Sequence, residues 1–108
     1  MVGMALVLTM GLYPNEIFRE IIAEQSQVIG TKLAHARALL TGGLTFTSPQ
    51  QHEVALTQDP KNTLSKLVSS YKEIFGEASV DVCLDVIKRM PMEQVSQYLP
   101  EDIKQRVG

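Results

Sequence analysis

The sequence has few of the residues that form disulfides or metal sites. Its 108 residues include one cysteine, two histidines and no tryptophan. A single cysteine cannot form an intramolecular disulfide, which favours a reducing compartment, and we expect a cytoplasmic protein. The histidines and the cysteine do not follow any metal-ligand spacing, such as Cys-x-x-Cys or His-x-x-x-His. We therefore predict no metal and no cofactor.

Runs of positive charge are also missing. The chain has 10 Lys and Arg against 12 Asp and Glu, and its formal charge is -2. Phosphate backbones are bound by clustered basic side chains, so we expect no nucleic-acid partner. A helix-turn-helix over residues 64–90 is disfavoured, because Lys72 and Glu77 stand where that motif has a small and an apolar residue. Its second helix would also present Asp81 and Asp85 to the nucleic acid.

Motifs of catalysis and nucleotide binding are absent from the sequence. There is no Gly-x-Ser-x-Gly and no phosphate-binding glycine loop, and Gly42-Gly43 precedes a strand-like run. Cys83 stands between Val82 and Leu84, which is typical of a small buried hydrophobic residue rather than a reactive thiol. The sequence therefore favours a protein that is not an enzyme.

The first 13 residues are apolar apart from Thr9. The run is too short to span a membrane, and no basic residue precedes Arg19, as a signal peptide or a membrane-surface anchor would need. We expect a short strand over residues 5–9, flanked by Gly3 and Gly11, and no membrane partner.

Residues 14–42 have a helical period. Pro14 suits a first turn, and Gly30 either breaks or bends the helix, an alternative that the sequence leaves open. Gly42-Gly43 ends the pattern. The apolar face before Gly30 is formed by Ile17, Phe18, Ile21, Ile22, Val28 and Ile29, with Gln25 among them; after Gly30, one side is shared by Leu33, Ala36, Arg37 and Leu40.

Residues 43–58 predict a β-hairpin. Residues 44–47 and 53–57 alternate apolar and polar side chains and are separated by a turn-like segment that contains Pro49. Because an isolated hairpin is barely stable, it must pack on helices, pair with the strand over residues 5–9 or pair with another subunit.

Residues 59–108 are again helical. Asp59 is a good N-cap before Pro60, and Gly76 ends or sharply bends the first of two helices. The second helix is apolar over most of its circumference and should be central, and Pro91 stops it. Two short terminal helices follow. One narrow stripe is acidic and indicates a solvated face rather than a cation site: Glu73, Glu77, Asp81 and Asp85.

The sequence therefore predicts a mostly α (α+β) fold. We expect one domain over residues 1–108, a compact bundle of four to six helices with a short β-hairpin and an N-terminal strand.

The most consistent functional interpretation is a small non-enzymatic module that self-associates and binds or regulates a protein partner. A homodimer is favoured, because a domain this small gains burial by dimerising. The candidate contact surface consists of apolar residues outside the predicted central helices: Leu6, Leu8, Phe46, Val54, Met92, Tyr98 and Leu99.

The alternative is a small-ligand-binding or minor catalytic domain. Its pocket would lie between the helices and the hairpin, with His35, His52 or Tyr71 at the mouth. A convergent cluster of polar groups with a perturbed pKa in a concave pocket would favour this alternative, whereas a flat apolar patch closed by two-fold symmetry would favour the interaction module.

Overall fold

The computed structural model describes residues 14–108, so the predicted strand over residues 5–9 lies outside the described residues. The described part contains six α-helices and one antiparallel hairpin. The helices are α1 (Pro14–Ile29), α2 (Thr31–Leu39), α3 (Pro60–Phe75), α4 (Glu77–Lys88), α5 (Met92–Val95) and α6 (Glu101–Val107), and the strands are β1 (Leu44–Ser48) and β2 (Glu53–Leu56).

Gly30 separates two helices rather than bending one. Its φ is 93°, in the region that glycine adopts without steric cost, and the chain resumes helical geometry at Thr31. A Cβ at this position would meet no atom within 4 Å, so the requirement for glycine is conformational. The break lets α2 leave the axis of α1 and pack against both α1 and α3.

The hairpin packs on α1 through β2, which was one of the three ways in which the sequence allowed it to be stabilised. Leu44 pairs with Leu56 and Phe46 pairs with Val54, and the register shifts between Phe46 and Ser48. The Asn15 side chain at the start of α1 donates a hydrogen bond of 2.9 Å to the Val54 carbonyl oxygen. This bond satisfies a backbone acceptor of β2 and holds the strand against α1.

Gly76 divides α3 from α4. The Asp59 side chain begins α3 by accepting a 2.9 Å hydrogen bond from the Asn62 backbone N–H. At the other end Gly76 has φ 64° and ψ -146°, a conformation that is open to glycine and almost closed to other residues. Lys72 and Arg106 both pair with Glu77, and these two cations lower the pKa of the Glu77 carboxyl, with Arg106 the larger cause.

Helix α4 lies in contact with α1, α3 and α6. Its buried face includes Val80, Cys83, Leu84 and Ile87. The short terminal segments add further apolar side chains to the same core. The buried hydrophobic residues outside α4 are Ile17, Phe18, Ile21, Ile22, Ala34, Ala38, Leu44, Val54, Leu64, Leu67, Val68, Tyr71, Val95, Leu99 and Ile103.

The predicted fold class is confirmed: the chain is a compact, mostly helical α+β structure with one two-stranded antiparallel hairpin in the described part. Within residues 14–108, no helix is long and apolar enough to cross a membrane.

Candidate functional site

The two histidines meet at the junction between α2 and the hairpin. Nε2 of His35 lies 2.9 Å from Nδ1 of His52, so one ring donates an N–H hydrogen bond to the other. The ring planes are nearly perpendicular, at 87°. On its other side the His35 ring stacks on Phe46 of β1, with centroids 4.1 Å apart and planes inclined by 18°. The fold thus brings together two of the three residues that the sequence placed at a pocket mouth.

Local backbone geometry places His52 in this pair. Pro49–Gln51 form a single 3-10 turn after β1, and the His52 backbone N–H closes it by donating to the Pro49 carbonyl oxygen. His52 then adopts a left-handed conformation with φ 62°, which is uncommon for a residue with a Cβ but several-fold enriched for histidine. The turn directs the imidazole of His52 toward α2 before the chain re-enters β2.

The two histidines are hydrogen-bonded to each other rather than to a third side chain. Burial first, and the neighbouring His52 second, lower the pKa of His35 below its ordinary value of 6.5. The facing nitrogens of the two rings are used in the mutual hydrogen bond. Within residues 14–108, no three His, Cys, Asp or Glu side chains are grouped as a metal site requires. The pair therefore joins the hairpin to α2, and the lowered pKa of His35 couples protonation of that ring to the stability of the fold.

This geometry predicts that stability falls on mild acidification. The unfolded chain protonates His35 at about its ordinary pKa of 6.5, whereas the folded chain protonates it only at a lower pH. As the pH falls from 6.5 through that lower pKa, the unfolded state therefore binds more protons, and the free energy of unfolding decreases. We expect the urea midpoint of the full chain to fall between about pH 7.5 and about pH 5.

The matched control for this titration is His35→Gln, which keeps a polar side chain on α2 and removes the titrating group. Its urea midpoint should fall less than that of the unaltered chain over the same pH interval. An equal fall in the two proteins would show that other groups, not the histidine pair, govern the acid response.

Tyr71 lies away from this junction, in the core. Its side chain is fully buried, and its hydroxyl donates a 2.9 Å hydrogen bond to the Ala34 carbonyl oxygen. Burial, with a smaller contribution from Cys83, raises the pKa of Tyr71 above its ordinary value. The phenol therefore joins α3 to α2 at Ala34, the residue that precedes His35. Because it is fully buried, it is not exposed to a ligand.

Cys83 is a buried thiol with a raised pKa. Burial raises the pKa to about 11, and a 3.4 Å contact from the Gln25 amide nitrogen opposes this effect only in part. The same nitrogen donates to the Ser79 carbonyl oxygen at 3.0 Å. With so little thiolate and no solvent access, Cys83 has the properties of a core residue rather than of a nucleophile.

A cleft of about 550 Å³ lies beside the contact between the start of α1 and the hairpin, and both strands contribute to its lining. It is the kind of space between helices and hairpin that the ligand-binding alternative requires, but neither histidine lines it. Arg19, its one basic residue, is paired with Glu16 at 2.6 Å and Glu20 at 2.8 Å. The cleft is lined by Pro14, Asn15, Glu16, Arg19, Thr47, Glu53, Val54 and Ala55.

The described residues of the predicted contact surface are buried or half-buried in the fold. Val54 and Leu99 are buried core residues. Phe46, Met92 and Tyr98 are half-buried and pack against the core. Leu6 and Leu8 lie outside the described residues. None of the five described residues therefore offers a freely exposed apolar side chain.

The exposed apolar face lies instead on α2 and its C-terminal cap. Leu33, Leu39 and Leu40 are exposed by 39%, 52% and 68% of their surface, and Ala36 lies between them on the solvent side. The opposite side of α2 is formed by Ala34 and Ala38, which are fully buried. Because these alanines are small, α2 packs closely on the bundle while its leucines face outward.

A clasp between α2 and α3 fixes the orientation of this face. Arg37 donates to the Ser70 carbonyl oxygen through Nε and one terminal nitrogen, at 3.2 and 2.9 Å. The Ser70 hydroxyl donates back to the Arg37 carbonyl oxygen at 2.7 Å. Arg37 also forms an ion pair with Glu73. These bonds cross between the two helices, so α2 cannot turn its leucines inward without breaking them.

The sequence groups four residues on one side of α2 but does not identify that side as the outward one: Leu33, Ala36, Arg37 and Leu40. The available signal was the pair Ala34 and Ala38, four residues apart, which is the spacing of a close helix contact.

Comparison of the chain with protein-family models, curated proteins and solved structures finds no match.

Proposed function

We propose that this chain is a small non-enzymatic module that self-associates, as a homodimer, and serves protein interaction or regulation. The observation that carries the proposal is the outward face of α2, with Leu33, Leu39 and Leu40 exposed next to Ala36. Single exposed apolar residues are common on protein surfaces, and the grouping of three on one rigid helix supports the proposal of a contact surface there.

The energetic argument is burial of leucine side chains. Three of the five large exposed hydrophobic residues in the described part belong to α2 and its cap. A leucine that passes from half-exposed to buried contributes on the order of 1 kcal/mol. A second copy would bury the same three leucines again, and the Arg37 clasp means that little ordering of α2 is required on binding.

Support for the ligand-binding alternative is weaker. The perturbed pKa of His35 fits a functional site, but the two histidines are hydrogen-bonded to each other. The cleft between α1 and β2 has room for a ligand, but its arginine is already paired with two carboxylates.

The single buried cysteine favours a reducing, cytoplasmic location for the module.

The test of this function is sedimentation equilibrium of the full chain with and without Leu39→Glu. A charge in the middle of an apolar contact must be desolvated on association, so we expect the dimer dissociation constant to rise at least about tenfold. The variant should fold normally, because Leu39 is half-exposed in the last turn of α2.

Phe75→Glu provides a matched control. Phe75 has the same 52% exposure as Leu39 and also stands in the last turn of its helix, α3. The control should leave the dissociation constant within about twofold of the unaltered chain. If Phe75→Glu weakens association and Leu39→Glu does not, the contact surface is not on α2. If the unaltered chain does not associate, the proposed function is wrong.

A further inference from the structure

We propose that His35 and His52 form a pH-sensitive latch, which holds the turn of the hairpin on α2 and releases it only when both rings are protonated. The turn consists of Pro49–Gln51 and His52, and it joins β1 to β2. The latch would work in a single chain, so it goes beyond the proposed function and does not depend on self-association. Its basis is the geometry of the two rings and of the backbone at His52.

The two rings face each other head to head. Their centroids are 5.1 Å apart and the facing nitrogens are 2.9 Å apart, so both nitrogens lie close to the line that joins the ring centres. This separation is the length of a hydrogen bond and has room for one hydrogen atom. In the neutral pair one facing nitrogen donates that hydrogen and the other accepts it. The bond therefore requires one facing nitrogen that carries no proton.

The first added proton does not break this bond. In the neutral donor ring, the nitrogen that points away from the pair carries no hydrogen, and a proton there makes a charged donor and a stronger bond. The second proton must go to the accepting nitrogen. Both facing nitrogens then carry hydrogen and both rings carry charge, so the bond becomes a repulsive contact. The latch consequently opens with the second proton and not with the first.

His52 is the part of the latch that moves. The His35 ring stacks on Phe46 with planes 18° apart, and an aromatic face attracts a cation, so protonation favours this stack. His52 instead has a φ of 62°, which is strained for a residue with a Cβ. Release from His35 lets residue 52 return to a negative φ and takes the exposed residues Pro49–Gln51 away from α2.

The base of the hairpin is held independently of the histidines. The Asn15 side chain on α1 donates to the Val54 carbonyl oxygen, and the Thr57 backbone N–H donates to the Gly43 carbonyl oxygen at 2.8 Å. Helix α1 also packs on β2 along the strand. We therefore expect release of the turn alone, with β2 still in place on α1.

The charged groups around the pair do not neutralise a doubly protonated state. Those on the neighbouring elements are Lys32 and Arg37 of α2, Glu53 of β2, Arg19 of α1 and Glu73 of α3, and β1 has none. Arg37 is paired with Glu73, and the charge of Glu53 acts on Arg19. Within residues 14–108, burial and then His52 lower the pKa of His35, so both rings are charged only below pH 6.5.

The experiment measures the motion of a nitroxide spin label on the turn, with histidine protonation followed by NMR on the unlabelled chain. The label is attached to the full chain through Gln50→Cys, because Gln50 is exposed and the natural Cys83 is buried. We expect the rotational correlation time of the label to fall at least about twofold between about pH 7.5 and about pH 5, together with the second proton. A label at Asp85→Cys, exposed on α4, should not respond.

The matched variants are His35→Gln and His52→Asn. Each replaces one ring with an amide, which can donate or accept and therefore bonds to the remaining histidine in either protonation state. Asparagine also tolerates the left-handed conformation at residue 52. In both variants the label at residue 50 should keep the same correlation time from about pH 7.5 to about pH 5.

Three results would overturn the latch: a label that loosens with the first proton, a label that does not respond, or an equal response in the two amide variants. Loosening of both labels together with loss of the helical circular dichroism would show global unfolding and would overturn it as well. None of these readouts measures mass, so a failure of self-association is a separate result.

Discussion

Replacing Tyr71 with alanine should lower the free energy of unfolding by about 3 to 5 kcal/mol, the range for removing a buried aromatic ring. The ring is fully buried among the core residues of the bundle, and its removal leaves a cavity between α2 and α3. A loss of this size would unfold much of a marginally stable domain. Urea denaturation at neutral pH, followed by far-ultraviolet circular dichroism, measures it.

Tyr71→Phe separates the ring from its hydroxyl. This variant keeps the packed ring and removes only the hydrogen bond to the Ala34 carbonyl oxygen, so the expected loss is about 0.5 to 1.5 kcal/mol. A cost below about 1 kcal/mol for Tyr71→Ala would mean that the ring is not in the core. The position would then regain its place as a candidate ligand contact.

Leu84→Ala should cost about 2 to 5 kcal/mol. Leu84 is 5% exposed on α4, the helix that contacts α1, α3 and α6, so truncation removes contacts at the centre of the bundle. Leu39→Ala is the matched control, because the same chemical change at a half-exposed site should alter stability by only about 0.5 kcal/mol. Similar losses for the two variants in urea denaturation would contradict the central position of α4.

The helices and the hairpin could be predicted because local chemistry marks their ends. Asp59 and Pro60 begin a helix through side-chain capping and a fixed φ, and the structure has that helix and that cap. Gly30 and Gly76 adopt positive φ, which explains why the helical pattern stops at both glycines. These effects act within a few residues, so a single sequence is enough to locate them.

The outward side of α2 was not predictable in the same way. The helical period groups Leu33, Ala36, Arg37 and Leu40 on one side, but it does not determine whether that side or the side with Ala34 and Ala38 meets the core. The answer depends on the clasp of Arg37 with Ser70, residues that are 33 positions apart. Leucines are more often buried than arginines or lysines, so residue type alone would place the leucines of this helix in the core. In the structure they are exposed instead.

The histidine junction was predictable in its members but not in its geometry. His35 and His52 were both candidates for a pocket mouth, and they lie 2.9 Å apart. Their contact depends on the left-handed turn at His52 and on the stacking of His35 on Phe46, neither of which leaves a pattern in the sequence. Tyr71 contacts this part of the chain only through its hydrogen bond to Ala34, the residue before His35. The sequence could not separate Tyr71 from the histidines, because its helical spacing fits a core position as well as a pocket wall.

The central claim, self-association through the outward face of α2, is tested most directly by the mass of the unaltered full chain in solution over a wide range of concentration. Sedimentation equilibrium from about 1 µM to several hundred µM covers the expected dissociation constant. We predict a mass that rises from one chain toward two chains as concentration increases. A mass of one chain, 12.0 kDa, at every concentration would contradict the account.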